Sequence, residues 1–439
     1  VPAARCTILG LGSRGDLQPL LALGIGLKAA GFGVRFAAPE DYEPAVRSHG
    51  LEFFRLTGKA AKFFAGPAGI AMRDRARDAK EFQRFFTDYL GTFLDKLLVS
   101  CWEASQGSQA VFCWSWTRAG PSLAEKLGVP LFVVSATPAL HLPTMAFANP
   151  FQGPANLPLG PLYNRLSWQW ALPFTRIGQA QVDRWRRTIL KLGESDWRDE
   201  LRMLRRLPHL FGYSPTVLPK PWDWADWVHV TGFWFLDQPY TPPPELTAFL
   251  RAGEPPVAIG FSSQVSHEAR RISAATVEAL RLSGRRGIMI SGFGGLRGID
   301  LPETVLRVDS VPYDWLLPHV AAMVHQGGAG STASVLRAGV PSFAVPFGYE
   351  QALWGRRVAK LGAGPAPLEP AKLTATTLAA AIERVAGTAR YRRRAAEVAS
   401  AIHAEDGVAT AVGIVERTLA RAGGRRVVGI MPRAAVGEA

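Results

Sequence analysis

Short, continuous apolar runs alternate with longer amphipathic stretches in two parts of the chain. In the first part, Arg5–Gly12 reads as a buried strand entering a glycine-rich turn. Leu17–Ala30 reads as a helix stopped by Gly31, and Val34–Ala38 as a second strand. Strand, turn, helix and strand at this spacing make a βαβ unit, which requires a parallel sheet. The pattern recurs at Ala110-Val111-Phe112, a helix over Ser122–Leu127 and the strand Leu131–Val134. A second series starts near Val257, with strands at Val257–Ile259, Gly287–Ile290, Ala321–Val324 and Ser342–Val345 and a helix at Ala274–Ser283. Tyr213–Pro244, between the two series, is rich in Pro and Trp and has no period, which marks a connection. The expected division is an N-terminal domain over 1–215, a linker over 216–244 and a C-terminal domain over 245–422. Residues 423–439 form a Gly/Arg/Ala-rich tail.

Composition narrows the class. The 439 residues are 48% hydrophobic and 20% charged, which suits a folded chain with a sizeable core and excludes disorder or a collagen-like repeat. Cys6, Cys101 and Cys113 are too few and too scattered for a disulfide framework or a zinc site, so a reducing, cytoplasmic setting is expected. Val1–Arg5 leads straight into the first strand, and no signal peptide is expected. Pro138–Asn164 lacks charge, yet its six prolines exclude a membrane span. Fifty Lys and Arg against 36 Asp and Glu leave a net charge of +14, which attracts anions. The arginines are scattered through helices rather than gathered in a tract, which argues against nucleic acid. The basic stretch Arg184–Arg206 reads first as a solvated face and second as a peripheral membrane contact.

Three turns carry candidate chemistry. Gly10-Leu11-Gly12-Ser13-Arg14-Gly15-Asp16 matches the G-x-G-x-x-G dinucleotide fingerprint, and Glu40 stands where a ribose-binding acid would. Against that reading, Asp16 puts a carboxylate at the helix N-terminus, where a pyrophosphate would need bare N–H groups. Asp16 therefore reads as a helix cap or as a catalytic carboxylate. The second turn, His325-Gln326-Gly327-Gly328-Ala329-Gly330-Ser331-Thr332, follows a strand and opens a helix. Small residues, free N–H groups, the helix dipole and two hydroxyls make it an anion cradle suited to a diphosphate. No Lys follows the glycines, so it is not a Walker loop. After the next strand stand Glu350 and Gln351, an acid and an amide able to grip adjacent sugar hydroxyls.

With these motifs in place, His325–Gly364 resembles the nucleotide-sugar motif of the GT-B glycosyltransferases, in the sterol-glucosyltransferase-like and glycopeptide-antibiotic branch. Gly12–Pro19, Thr231–Phe235, Gly260–Ser263 and Asp314–His319 resemble further motifs of that branch, in order, along about residues 5–420. The resemblance implies an α/β fold of two Rossmann-like domains facing a cleft, with acceptor on the first and a nucleoside-diphosphate sugar on the second. Asp16 would be the general base. His325, Gly327, Gly328, Gly330, Ser331 and Thr332 would hold the diphosphate, with His325 cationic or donating and Ser263 assisting. Val311 would meet the base, and Glu350 and Gln351 the sugar. Gln326 stands where the branch often has a second His, and Glu350 where it usually has Asp.

The function expected is inverting transfer of a hexose, glucose from its UDP form, to a hydroxyl of a lipophilic acceptor such as a sterol, polyketide or aromatic aglycone. No Asp-x-Asp pair occurs, so no metal and no cofactor beyond the sugar nucleotide are expected. Acceptor contacts are expected from Ser13, Phe86, Trp114, His141 and Trp354. The stripe Phe82, Phe85, Phe86, Tyr89, Leu90, Phe93, Leu94 and Leu97 serves core packing first and an acceptor wall second. Asp16 poses a difficulty: an ordinary Asp titrates near about 3.9 and a helix N-terminus favours its ionised form further, which makes a weak base. The rival readings are an NAD(P)-dependent oxidoreductase using Gly10–Gly15, a nucleotide-sugar epimerase, and a non-catalytic sugar- or lipid-binding protein.

Overall fold

A computed structural model describes residues 4–58, 79–114, 117–150, 160–171, 176–261, 269–291, 300–348 and 350–422; within it, the side chains of 79–83, 85–92 and 170–171 lie outside the description. Two wholly parallel sheets organise the chain. The first contains β1 Arg5–Leu9, β2 Gly33–Pro39, β3 Glu52–Leu56, β4 Ala110–Trp114, β5 Leu131–Ser135, β6 His209–Phe211 and β7 Val228–Val230. Its order is β3-β2-β1-β4-β5-β6-β7. The second contains β8 Val257–Gly260, β9 Gly287–Ile290, β10 Val305–Val308, β11 Ala322–His325 and β12 Ser342–Ala344, in the order β10-β9-β8-β11-β12. Strands β5, β8, β9 and β11 are buried at every position, as strands covered by helices on both faces must be.

The helices that bear on the site are α1 Arg14–Ala29, α2 Ala79–Ser105, α3 Gly120–Leu127, α4 Gly160–Ser167, α5 Ala269–Leu282, α6 Ala329–Arg337, α7 Gln351–Leu361 and α8 Gly407–Ala422. In each sheet the strand order reverses once, between β1 and β4 and between β8 and β11. Ligands of open parallel sheets bind outside the strand C-termini at such reversals. The turns β1–α1 and β11–α6 leave the sheets at those two places.

The structure departs from the expected division twice. Strand β7 lies within the segment expected to be linker and extends the first sheet, pairing with β6 at Leu210 and His229. Three residues are too few to show a period. Helix α8, expected in the second domain, instead packs Ala411, Val412, Ile414 and Val415 into the core of the first with Leu20, Leu23 and Leu27. A Cβ on Gly26 of α1 would come within 2.3 Å of Val408 Cγ1, so the two helices touch through a glycine. The chain crosses back where Gly232 and Gly407 meet: a Cβ on Gly407 would lie 2.5 Å from the Gly232 carbonyl carbon. Tyr213 against Trp354 at 5.8 Å, and Arg357 Nε donating to the Val217 carbonyl at 2.6 Å, join the lobes beneath the cleft.

Candidate active site between the lobes

The first-lobe turn is built around one carboxylate. Ser13 is the N-cap of α1 and Asp16 its third residue. The Ser13 N–H and Ser13 Oγ both donate to Asp16 Oδ2, each at 2.8 Å. Both bonds reach the same oxygen, and Oδ1 takes no hydrogen bond among the described residues. Gly12 has φ +116°, and a Cβ there would stand 2.6 Å from Asp16 Oδ2, so only glycine lets the backbone fold over the carboxylate. Burial pushes the Asp16 carboxyl above its ordinary value of 3.8, and the two bonds from Ser13 oppose the shift. Desolvation thus works against the helix N-terminus, whose field favours the ionised carboxylate.

The second-lobe turn is built around a neutral imidazole. His325 is completely buried at the end of β11. Its Nδ1 accepts the Gly327 N–H at 3.1 Å, so Nε2 keeps the proton, which it offers to Ser342 Oγ at 3.3 Å. Burial holds its pKa down to about 4. The expectation of a cationic His325, or one donating to a phosphate, is corrected here: both ring nitrogens are spent inside the chain, and the ring holds the turn. Gly327 has φ +86°, and a Cβ there would come within 2.6 Å of the Gln351 carbonyl oxygen. The turn therefore needs glycine for its dihedral and for its contact with α7. Gly328 caps α6 without a side-chain bond, and no acid stands in the first turn. Nothing lies within 4 Å of where a Gly330 Cβ would be, so the helix N-terminus is open. Thr332 is buried instead, its Oγ1 without a partner among the described residues.

Between the turns lies a cleft of about 760 Å³, a volume fit for a nucleotide-sized ligand. Ser13, Arg14 and Gly15 line it from one side, and Val311, Gly330 and Ser331 from the other. Asp16 and Glu350 sit beside this cavity rather than in its wall. They are near enough for charge to pass between the lobes: burial, and secondarily the Asp16 carboxylate, raise Glu350 to about 7, against a bond to its own backbone. Gln351 is buried as the first residue of α7, and its Oε1 accepts the Phe347 N–H at 2.8 Å, which leaves its amide NH2 for a ligand.

Two residues escaped the sequence reading. Arg14, first residue of α1, lines the cleft as an exposed cation. Tyr313 lines it opposite, hydrogen-bonded to Ser331, and burial pushes its hydroxyl to about 12. The signal for Arg14 was its position in the Ser13–Asp16 turn; Tyr313 gave none, because only folding brings it against Ser331.

The expected acceptor residues fare unevenly. Ser13 is at the cleft. Trp114 is partly buried, its Nε1 bonded to Ser135 Oγ at 3.1 Å. His141 and Trp354 are corrected to core positions: His141 is 5% exposed and faces His209 with Nε2 atoms 2.7 Å apart, and Trp354 is fully buried. Burying the Trp354 indole removes a large apolar area from water, and His141 is held by its ring contact with His209. Leu94 and Leu97 of α2 are core residues, as the bland reading of the stripe expects. Ser263 and the Phe86 side chain lie outside the described residues.

Two parallel-sheet lobes that present glycine turns to a shared cleft define the GT-B class of fold. Solved structures agree: the calicheamicin glycosyltransferase CalG4 superposes with a TM-score of 0.68 at 18% identity, covering 96% of this chain and 99% of that one. The glycosyltransferase VinC, solved in complex with DTDP, gives 0.64 at 19% identity, covering 95% and 100%. In sequence, residues 6–140 match the glycosyltransferase family 28 N-terminal domain, and residues 296–417 match the erythromycin biosynthesis protein CIII-like C-terminal domain. The chain is 34% identical over 433 residues to the O-mycaminosyltylonolide 6-deoxyallosyltransferase of Streptomyces fradiae, covering 94% of this chain and 97% of that protein. It is 33% identical to a sterol 3-beta-glucosyltransferase of Neosartorya fischeri, but spans only 29% of that longer protein. The chain belongs to this glycosyltransferase family. The oxidoreductase, epimerase and binding-protein readings are set aside. For the first the geometry supplies the reason: the Asp16 carboxylate already occupies the Ser13 N–H that a dinucleotide pyrophosphate would need.

Proposed function

We propose that the chain transfers a hexose, glucose from its UDP form, to a hydroxyl of a lipophilic acceptor such as a sterol, polyketide or aromatic aglycone, without a metal and with inversion. The observation that carries this reading is the pair of turns meeting at one cleft, a partly buried carboxylate on one and an uncapped helix N-terminus on the other. The acceptor oxygen attacks the anomeric carbon while the bond from that carbon to the phosphate oxygen breaks. Asp16 takes the acceptor proton. The leaving diphosphate gains negative charge, which the Gly330 and Ser331 N–H groups, the α6 dipole, the Ser331 hydroxyl and Arg14 offset. Glu350 and the Gln351 amide hold sugar hydroxyls, and Val311 meets the base. His325 acts as a positioning residue for the Gly327 turn, and Ser263 assists at the phosphates.

A cytoplasmic setting fits the three cysteines, all free and buried. Among the described residues one helical stretch, 389–421, has the length and apolarity to cross a membrane, but it is broken into the helices Ala389–His403 and Gly407–Ala422. Its second half is α8, packed in the first-lobe core. The test is a panel of UDP, dTDP and GDP sugars, read by melting temperature and then by product mass with mixed aglycones. A rise with UDP-glucose and a hexose-bearing product with inverted anomeric configuration are expected. No rise with any sugar nucleotide, or a retained configuration, overturns the reading.

A further inference from the structure

Helix α4 buries Tyr163 but turns its two leucines outward. Its polar residues Asn164 and Ser167 face the protein: Asn164 Nδ2 donates to the Met145 carbonyl at 2.9 Å, and Ser167 Oγ accepts the Asn149 N–H at 2.7 Å. Leu162 and Leu166, one turn apart, face outward at 54% and 47% exposure, with exposed Arg165 between them. An amphipathic helix on a core would show the opposite pattern.

A second element presents the same chemistry beside it. Trp222 is 76% exposed and Trp227 43%. Met145 bridges the two elements. Its carbonyl receives Asn164 of α4, and its N–H donates to Asp223 Oδ2 at 2.8 Å, next to Trp222. Trp227 Nε1 donates to the Arg205 carbonyl at 2.9 Å. Arg205 and Arg165 are close enough to repel, and neither has a carboxylate partner among the described residues. Asp226, on the Trp loop, is the exposed acid nearby. Arg205 Nε donates to the His141 carbonyl at 2.9 Å. Indoles with polar tips, leucines one helical turn apart and exposed arginines without a carboxylate are the groups that settle into the headgroup boundary of a bilayer.

We propose that Leu162, Leu166, Trp222 and Trp227, with Arg165 and Arg205, form a face that lies on the surface of an anionic lipid bilayer. Leucines and indoles enter the headgroup region, and the two arginines meet lipid phosphates. The side chains project from two separate elements instead of framing a groove, which suits a soft surface over a shaped protein partner. This goes beyond the transfer reaction and does not depend on which acceptor is used.

The test is co-sedimentation of the full chain with vesicles of phosphatidylcholine alone and of phosphatidylcholine with phosphatidylglycerol. Binding to the second kind, weakening as salt rises, is expected. Leu162→Glu with Leu166→Glu, and separately Trp222→Ser, should each weaken it roughly tenfold or more with an unchanged melting temperature. Wild-type protein that stays in the supernatant, or equal binding by all three proteins, overturns the proposal. So does a wild-type dimer that the leucine variant converts to monomer, which would make the face a protein interface. The readout is vesicle binding, so failure here leaves the sugar-nucleotide panel untouched.

Discussion

The two turns that meet at the cleft have the same backbone plan and opposite electrostatics. Ser13-Arg14-Gly15-Asp16 runs from N-cap to third residue of α1, and Gly328-Ala329-Gly330-Ser331 does the same for α6. Each has glycine at the second helical position, and each follows a central strand of a parallel sheet. In the first, Asp16 folds back on the cap and fills the N–H and dipole of its own helix. In the second, the cap is a bare glycine and the third residue a neutral hydroxyl, so N–H groups and dipole stay open. One side-chain choice separates a turn that carries its own anion from one left open to an anion, because a helix N-terminus holds negative charge from either the chain or a ligand.

The comparison can be broken at several points. Asp16→Asn keeps the shape and removes the basic oxygen, and turnover should fall roughly 100- to 10,000-fold with little change in donor affinity. Steady-state rates beside calorimetry with UDP check this, and near-normal turnover removes Asp16 from the base role. Ser331→Asp copies the first turn into the second. A unit charge about 4 Å from a phosphate at an effective dielectric of about 20 costs about 4 kcal/mol, so donor affinity should drop at least about a hundredfold. Calorimetry showing unchanged UDP affinity would remove the anion seat from α6.

Two smaller effects sharpen the picture. Gly327→Ala forces a side chain into φ +86° against the Gln351 carbonyl, and should cost about 1–3 kcal/mol in denaturant unfolding. An unaffected midpoint would mean that the turn is loose. Glu350→Gln tests the charge coupling between the lobes. The folded state raises Glu350 from 4.5 to about 7, so its protonated form favours folding below 4.5 and that advantage is lost as pH climbs to 7. The Gln variant should therefore match wild type at low pH and melt higher above pH 7. A difference independent of pH would mean that Glu350 is well hydrated.

Much of the architecture is legible along the chain. The apolar run Gly287–Ile290 is a strand with the bounds it suggests, and of the glycines at 327, 328 and 330 it is Gly327 that makes a close backbone approach, to the Gln351 carbonyl. What resists reading is contact between distant segments. His325 beside an anion cradle looks like a phosphate ligand, yet folding buries it against Ser342 and spends both its nitrogens. Trp354, expected against the acceptor, is covered by Tyr213 from the other lobe.

The sequence by itself determined the two βαβ series, the places of the glycine turns and the carboxylate at the start of the first long helix. These rest on local rules: periodicity, dihedral freedom and capping act over a few residues. Only the tertiary structure decided that the last helix returns to the first lobe, that His325 is neutral, and that Asp16 and Glu350 sense each other. Burial and charge coupling depend on which surfaces come together, and that is set by packing across some three hundred residues of intervening chain, on the order of the whole protein.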